Sequence, residues 1–218
     1  MIDFKIPDET KAIRDKVRNF VQSECHPAEE DCTAENFDGV LAGLRKTARS
    51  QGLWCPFVPE EHGGMGLRPL ANALVQMELG ESFLGALALN TQGPDDATML
   101  TLLEHGTDFQ KEKFLKPLLN GEKRICYSMT EKAAGADATG MQTKAELDGD
   151  EWVLNGEKWF SSSASVADIA VVMAKTDPDA ARHEQYSTFI VELPNPGYNI
   201  VRNIETMQPH TELGLKLG

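Results

Sequence analysis

No apolar run in this sequence approaches the roughly 18 to 20 consecutive residues that a membrane-spanning helix requires, so no such helix is expected. Positive charge is also scarce. Lys and Arg number 21 against 34 Asp and Glu, a net charge of −13, and that field repels phosphate backbones, which argues against nonspecific nucleic-acid binding. Cysteine is sparse as well. Cys25, Cys32, Cys55 and Cys126 show no Cys-x-x-Cys spacing, and His26, His62, His105, His183 and His210 are scattered singly. Neither a zinc site nor a disulfide framework is expected, and the cysteines read as reduced thiols. The opening stretch "MIDFKIPDETKAIRDKV" lacks both an apolar signal core and an acid-free, Arg-rich character. These absences predict a cytoplasmic protein.

Internal repeats are missing, and nothing alternates strand with helix as a doubly wound sheet would. The chain instead changes period once. Up to about residue 122 the period is helical, with one stripe of Ile13, Val17, Phe20 and Val21 and a second of Phe37, Val40, Leu41, Leu44 and Ala48. A long helix, apolar nearly all round, is expected from about Pro69 to Leu89 as the centre of the bundle. Asp95 or Asp96 suits the cap of a helix reaching Leu103, and Thr107 with Gln110 has capping-box spacing for a last helix ending near "LLNG". From Arg124 the period becomes two, with Ile125, Tyr127 and Met129 on one face. Strands are then expected around the turn signals "DGD" and "NG", in "DIAVVMAKT" and "STFIVEL", and in "YNIVRNI" after "NPG". The fold class predicted is α+β: an N-terminal all-α helical bundle (1–122), then an antiparallel β-barrel or sandwich-like domain (123–218), with the boundary at Gly121 to Lys123.

Few motifs carry chemistry. "HGGMGL" lacks the Lys-Ser/Thr ending of a phosphate loop and follows no strand, so a structural turn is favoured. Glu60 and Glu61 are adjacent in that loop, which does not set two carboxyls across a substrate. "SSSAS" (161–165) has no G-x-S-x-G elbow, and its hydroxyls after "KWF" suit hydrogen bonding to a flat polar ring. "TEKAAGAD" (130–137) has short side chains that leave backbone amides accessible to an anion or a pyrophosphate. The residues alone leave a plain surface loop equally open.

Taken together, "PFVPEEHGGMGL", "FLKPLLNGEKR", "CYSMTEKAAGAD" and "LNGEKWFSSSAS", in this order, resemble the acyl-CoA dehydrogenase family over essentially the whole chain. The resemblance implies FAD against the β domain, contacted by Tyr127, Met129, Thr130, Gly135, Ala136, Phe160, Ser161 and Ser162. Thr130 would donate to the pyrimidine side of the flavin and Ser162 would lie near N5 and O4. Phe160 stands where family members commonly place tryptophan. Ala136 and Lys132 would meet an acyl-CoA substrate. Where the family usually reads Glu-Pro-Gly-x-Gly-Ser-Asp, this chain has Glu131, Lys132, Ala133, Ala134, Gly135, Ala136 and Asp137, so altered binding is expected.

The implied reaction is α,β-dehydrogenation of an acyl-CoA thioester to a trans-2-enoyl-CoA, as in fatty-acid β-oxidation. Electrons would pass to an electron-transferring flavoprotein, and a dimeric or tetrameric homo-oligomer is expected. Family members carry the catalytic glutamate and half of the flavin site in a C-terminal four-helix domain that these residues do not match. The middle domain is therefore expected to be incomplete, with an unpaired sheet edge near "MQPHTELGLKLG", and no catalytic residue or metal ligand is assigned. The rival readings are a noncatalytic acyl-CoA- or partner-binding subunit with the same fold, and a family oxidase.

Overall fold

The computed structural model describes residues 5–204. His210 and the sheet edge expected near the end of the chain lie outside them. The chain divides into two compact units, Met1–Glu122 and Lys123–Gly218.

In the first unit, α1 (Asp8–Phe20) buries Val17 and Phe20 from the expected stripe, with Asp8 and Glu9 favourably placed in its first turn. A π-type turn, Val21–Cys25, leads into α2 (His26–Glu30). Helix α3 (Phe37–Ser50) buries Phe37, Leu41, Leu44 and Ala48, four residues of the second stripe. Then comes "HGGMGL", which is a turn. A single 3-10 turn, Glu60–His62, ends at Gly63 with φ +83°, and a Cβ on Gly64 would lie 2.1 Å from the Val58 carbonyl oxygen.

The long helix expected from Pro69 to Leu89 is two elements, α4 (Pro69–Leu79) and the short α5 (Gly85–Ala88). Glu29 of α2 explains the interruption, because its carboxylate accepts from the Ser82 hydroxyl at 2.5 Å and from the Phe83 amide at 2.9 Å. Bonding that amide to a side chain takes it out of the helical ladder. Nor is α4 central all round. It leaves Leu70 and Met77 exposed and packs against α1, where buried Glu78 accepts from Arg18 at 2.7 and 2.9 Å.

Helix α6 (Asp95–His105) starts after Pro94, so Asp95 and Asp96 lie in its first turn instead of capping it. The expected capping box opens α7 (Asp108–Gln110): Gln110 N donates to Thr107 Oγ1 at 3.2 Å and Thr107 N to Gln110 Oε1 at 2.9 Å. A second π-type turn, Lys111–Leu115, joins it to α8 (Lys116–Leu119). The C-terminal carbonyls there are held by donors from elsewhere in the unit. Trp54 Nε1 donates to Leu119 O at 2.9 Å, Arg49 to Asn120 O at 2.6 Å and Arg45 to Gly121 O at 2.6 Å. Two of these donors are cations at the negative end of a helix.

The second unit is a five-stranded sheet: β1 (Ile125–Ser128), β2 (Lys144–Asp148), β3 (Glu151–Asn155), β4 (Ile169–Lys175) and β5 (Tyr186–Glu192). The helical-then-β order of the α+β class holds, but the sheet is mixed, not antiparallel throughout. β4 pairs antiparallel with β5 along its whole length, runs parallel to β1 over Ile169–Val172, and meets β2 in one parallel pair at Lys175. Residues 129–168, which include the β2–β3 hairpin, make the crossover that a parallel β1–β4 pair needs. Period-two patterning carries no sign of strand direction.

β4 is buried on both faces, as its near-continuous "IAVVMA" run dictates for a central strand. β1 is likewise buried at the adjacent Ile125 and Cys126, so the one-sided face of Ile125, Tyr127 and Met129 does not form; Met129 lies beyond the strand and is exposed. "DGD" makes the hairpin turn between β2 and β3 as expected. Asn155–Gly156, by contrast, ends β3 without a hairpin, and residues 198–203 form no strand.

Candidate functional site

Three short segments of the second unit converge where β1 ends, and their link is a buried ion pair. Glu131, only 7% exposed, receives the Lys158 ammonium at 2.8 Å, the Thr143 amide at 2.9 Å and hydroxyl at 2.6 Å, and the Gln142 amide at 2.5 Å. Lys158 also donates to the Met129 carbonyl at 3.0 Å and touches Met141 Sδ at 3.5 Å. Burial alone would raise the Glu131 pKa. The bonds from Lys158, Thr143 and Gln142 outweigh it and hold the carboxyl at about 2. Gly156 lies so close that a Cβ there would sit 2.3 Å from Thr143 Oγ1, which is why the residue following β3 has no side chain.

Around that pair stand the residues named from the sequence. The Trp159 amide donates to the Thr130 carbonyl at 2.8 Å, which joins the end of β1 to the start of the "WFSSS" segment. Phe160 follows at φ +57° with its ring 49% exposed, and its carbonyl accepts from the Ser162 amide at 2.9 Å. Met129 is exposed, and Thr130 and Ser162 are half-buried. Neither the Thr130 nor the Ser162 hydroxyl has a hydrogen-bond partner among the described residues. Ser161 turns the other way. It is buried, with its hydroxyl 2.9 Å from Ser128 Oγ, which lies 3.2 Å from the Tyr198 hydroxyl. Tyr127 is partly buried and pairs with Val171 of β4.

The loop beyond is compact at its root and open at its tip. Glu131 and Ala134 exchange both backbone hydrogen bonds, at 3.2 and 3.1 Å, which makes Lys132 and Ala133 a two-residue turn with Lys132 exposed. Gly135 and Ala136 are exposed, and their amides bond to nothing among the described residues. Asp137 fixes the far side. It accepts from the Thr139 hydroxyl at 2.5 Å and from Arg182 at 2.7 Å, and the Thr139 hydroxyl foremost holds its carboxyl below the usual range.

Lys158, Thr143, Ser128 and Tyr198 were not singled out from the sequence. A lysine inside "NGEKWF" reads as solvated, and only the fold brings it to Glu131. The sequence signal for Ser128 is a polar residue inside an apolar strand. Burial foremost pushes the Tyr198 phenol up to about 12, and it pushes the thiols of Cys25 and Cys55 to about 12 and about 11, so none of the three is a ready nucleophile. No cluster of His, Cys, Asp and Glu able to hold a metal occurs among the described residues, and no helix among them is long and apolar enough to cross a membrane.

Comparison with known proteins identifies relatives of the chain. The sequence pattern of "Acyl-CoA dehydrogenase, N-terminal domain" matches residues 7–122, and that of "Acyl-CoA dehydrogenase, middle domain" matches residues 126–216. Acyl-CoA dehydrogenase family member 11 of Gallus gallus is 37% identical over 202 residues, covering 86% of this chain and 26% of its own length. A structure from Mycobacterium abscessus assigned to the acyl-CoA dehydrogenases has a TM-score of 0.89 at 31% identity, covering 98% of this chain and 57% of that one. Butyryl-CoA dehydrogenase of Megasphaera elsdenii has a TM-score of 0.72 at 26% identity, covering 100% and 60%. The chain thus spans only part of each relative's length. With both sequence patterns and the fold in agreement, it belongs to the acyl-CoA dehydrogenase family, of whose members it comprises the N-terminal and middle domains.

Proposed function

We propose that this chain is the N-terminal and middle part of an FAD-dependent acyl-CoA dehydrogenase that converts an acyl-CoA thioester to its trans-2-enoyl-CoA. The observation that carries the reading is the cradle at the end of β1. There an exposed Phe160 ring and two uncommitted hydroxyls, on Thr130 and Ser162, stand on segments joined by the Trp159–Thr130 hydrogen bond. That donor set suits the flavin of a family whose members are flavoproteins: an aromatic face for a flat ring, and hydroxyl protons for its polar rim. Bound flavin supplies a hydride acceptor.

The chain's own residues bind and orient. The Thr130 hydroxyl would donate to the pyrimidine edge of the flavin, where negative charge gathers on reduction, and the Ser162 hydroxyl would donate to the edge opposite. Phe160 would cover one face of the ring and keep water from it. Met129 and Tyr127 would belong to the other wall, at the end of β1, and Ser161 ties the two segments together through Ser128. The open amides of Gly135 and Ala136 suit the pyrophosphate or the pantetheine side of an acyl-CoA, with Lys132 adding a cation nearby. Removal of the substrate α proton is assigned to no residue of this chain. Glu131, the carboxylate beside the cradle, is committed to Lys158, Thr143 and Gln142 and holds its charge down to about pH 2, which unfits it as a base at neutral pH. Similar structures are named for different acyl-CoA substrates, butyryl-CoA and glutaryl-CoA among them, so the proposal commits to an acyl-CoA thioester and to no chain length. An electron-transferring flavoprotein as acceptor, β-oxidation as context and a homo-oligomeric state complete the proposal. Four free thiols fit a reducing cytoplasm.

A binding subunit without chemistry is the second reading, favoured by the altered loop, with Ala136 in place of the usual serine. Visible absorbance tests the first. The protein purified yellow, or turned yellow by added FAD, and bleached by an acyl-CoA without air, supports the dehydrogenase. Because no residue of this chain is assigned the α proton, bleaching is read on a preparation that also carries the C-terminal helices of the family; there a yellow protein that no acyl-CoA bleaches points to the binding subunit, and failure to take up FAD overturns the flavin reading.

A further inference from the structure

Two walls of the proposed cradle lie on segments far apart in sequence, residues 127–130 and 159–162, and Lys158, next to the second in sequence, bonds across the gap to the first. Its ammonium holds the Met129 carbonyl at 3.0 Å and the Glu131 carboxylate at 2.8 Å, and the residue after it donates its amide to Thr130. Through Glu131 the same ammonium reaches Gln142 and Thr143, which lead into β2. The side chains of Lys158 and Glu131 are only 10% and 7% exposed, so the pair is shielded from salt and water. Phe160, two residues on, is held at φ +57°, a conformation that a phenylalanine keeps only when its surroundings fix it.

We infer that Lys158 is a positioning residue: paired with Glu131, it sets the spacing of the Met129–Thr130 and Phe160–Ser162 walls and so tunes how tightly a flavin ring is gripped. The ligand in this inference rests on the flavin reading above, whereas the mechanical link does not. A lysine serves because one ammonium makes three donations at once, to a carbonyl, a carboxylate and a thioether. A fold that needed only stability here would do as well with packed apolar side chains in place of the pair. The pair therefore points to a demand for geometry.

Lys158→Met in the full chain, compared with the parent and with Ile169→Ala, tests the inference. Ile169 lies fully buried in β4, away from the cradle, and serves as a purely destabilising control. Backbone amide exchange is read first, without cofactor. In Lys158→Met the Trp159, Gln142 and Thr143 amides should exchange about tenfold faster or more, while amides of β4 and β5 keep their rates; in the control the order should reverse. FAD titration is read second, and Lys158→Met should bind FAD about tenfold to a hundredfold more weakly, with altered flavin absorption, while the control at matched loss of melting temperature should not. Lys158→Arg, which keeps the charge, should recover part of that affinity. Unchanged exchange at Trp159 overturns the inference, as does an FAD affinity that follows melting temperature alike in both variants. A parent protein that binds no FAD defeats the flavin reading, while the exchange rates still decide whether Lys158 joins the walls.

Discussion

At the scale of single residues, Glu131 fixes the most about this protein. Its carboxyl drops from 4.5 to about 2 on folding, which at about 1.4 kcal/mol per unit corresponds to about 3 kcal/mol. The folded value lies below the unfolded one. The contribution is therefore present in full above about pH 4.5 and is lost as pH falls toward 2. Urea midpoints measured across that window should decline steeply for the parent and more shallowly for Glu131→Gln, whose side chain does not titrate. At neutral pH Glu131→Ala should cost about 3–5 kcal/mol, because it strands a buried ammonium. Phe160 behaves differently. Replacing it by Gly relieves a left-handed backbone but removes an aromatic edge contact with Trp159, whose ring centre lies 5.6 Å away. The two effects are each about 1 kcal/mol and opposed. The melting temperature of Phe160→Gly should hardly move while FAD affinity falls, and a parallel fall of both would contradict the placement of that ring in the cradle.

Secondary-structure elements depend on a few contacts between distant parts of the chain, and there the sequence is least informative. α1 and α4 are joined by Arg18 and Glu78, a two-pronged contact at 2.7 and 2.9 Å with a glutamate that is 6% exposed. Arg18→Met should destabilise the helical unit, because it leaves the buried Glu78 carboxylate without its cation, read as loss of helical circular dichroism at lower urea, whereas loss of the exposed Lys11–Asp8 pair should matter much less. What was legible was periodic. The stripes of α1 and α3 were readable because buried residues recur every three or four positions, and the capping box at Thr107 because its chemistry lies within four residues. The interruption between α4 and α5 was hidden, since its cause is Glu29, more than fifty residues upstream of Phe83. The direction of β1 against β4 was hidden too, because alternation reports which face is buried and not which way a neighbour runs. In the candidate site the hydroxyls and the short-side-chain loop could be named in advance. The Lys158 link could not, because a lone lysine in a turn sequence gives no sign of a partner 27 residues away.

For the molecule as a whole, the balance is between exposed apolar surface and net charge. The β2–β3 hairpin leaves Leu147, Trp152 and Val153 exposed at 60%, 46% and 43%, and among the described residues β3 pairs with β2 alone. An open edge with apolar side chains favours pairing with another strand, and a second copy of this chain offers the same edge. Against this stands a charge of −13 on every copy. At low ionic strength the repulsion reaches across the tens of ångströms separating approaching molecules; at about 0.15 M salt it is screened beyond roughly 8 Å. Self-association of the 218-residue chain should therefore strengthen as salt is raised, the reverse of what an interface held by ion pairs would show. Val153→Lys places a charge on the edge strand and should weaken association at every salt concentration while lowering the melting temperature little, because Val153 is already 43% exposed. Sedimentation velocity over a range of protein and salt concentrations reads both effects. Association that weakens with salt, or that Val153→Lys leaves untouched, would move the contact surface away from this hairpin.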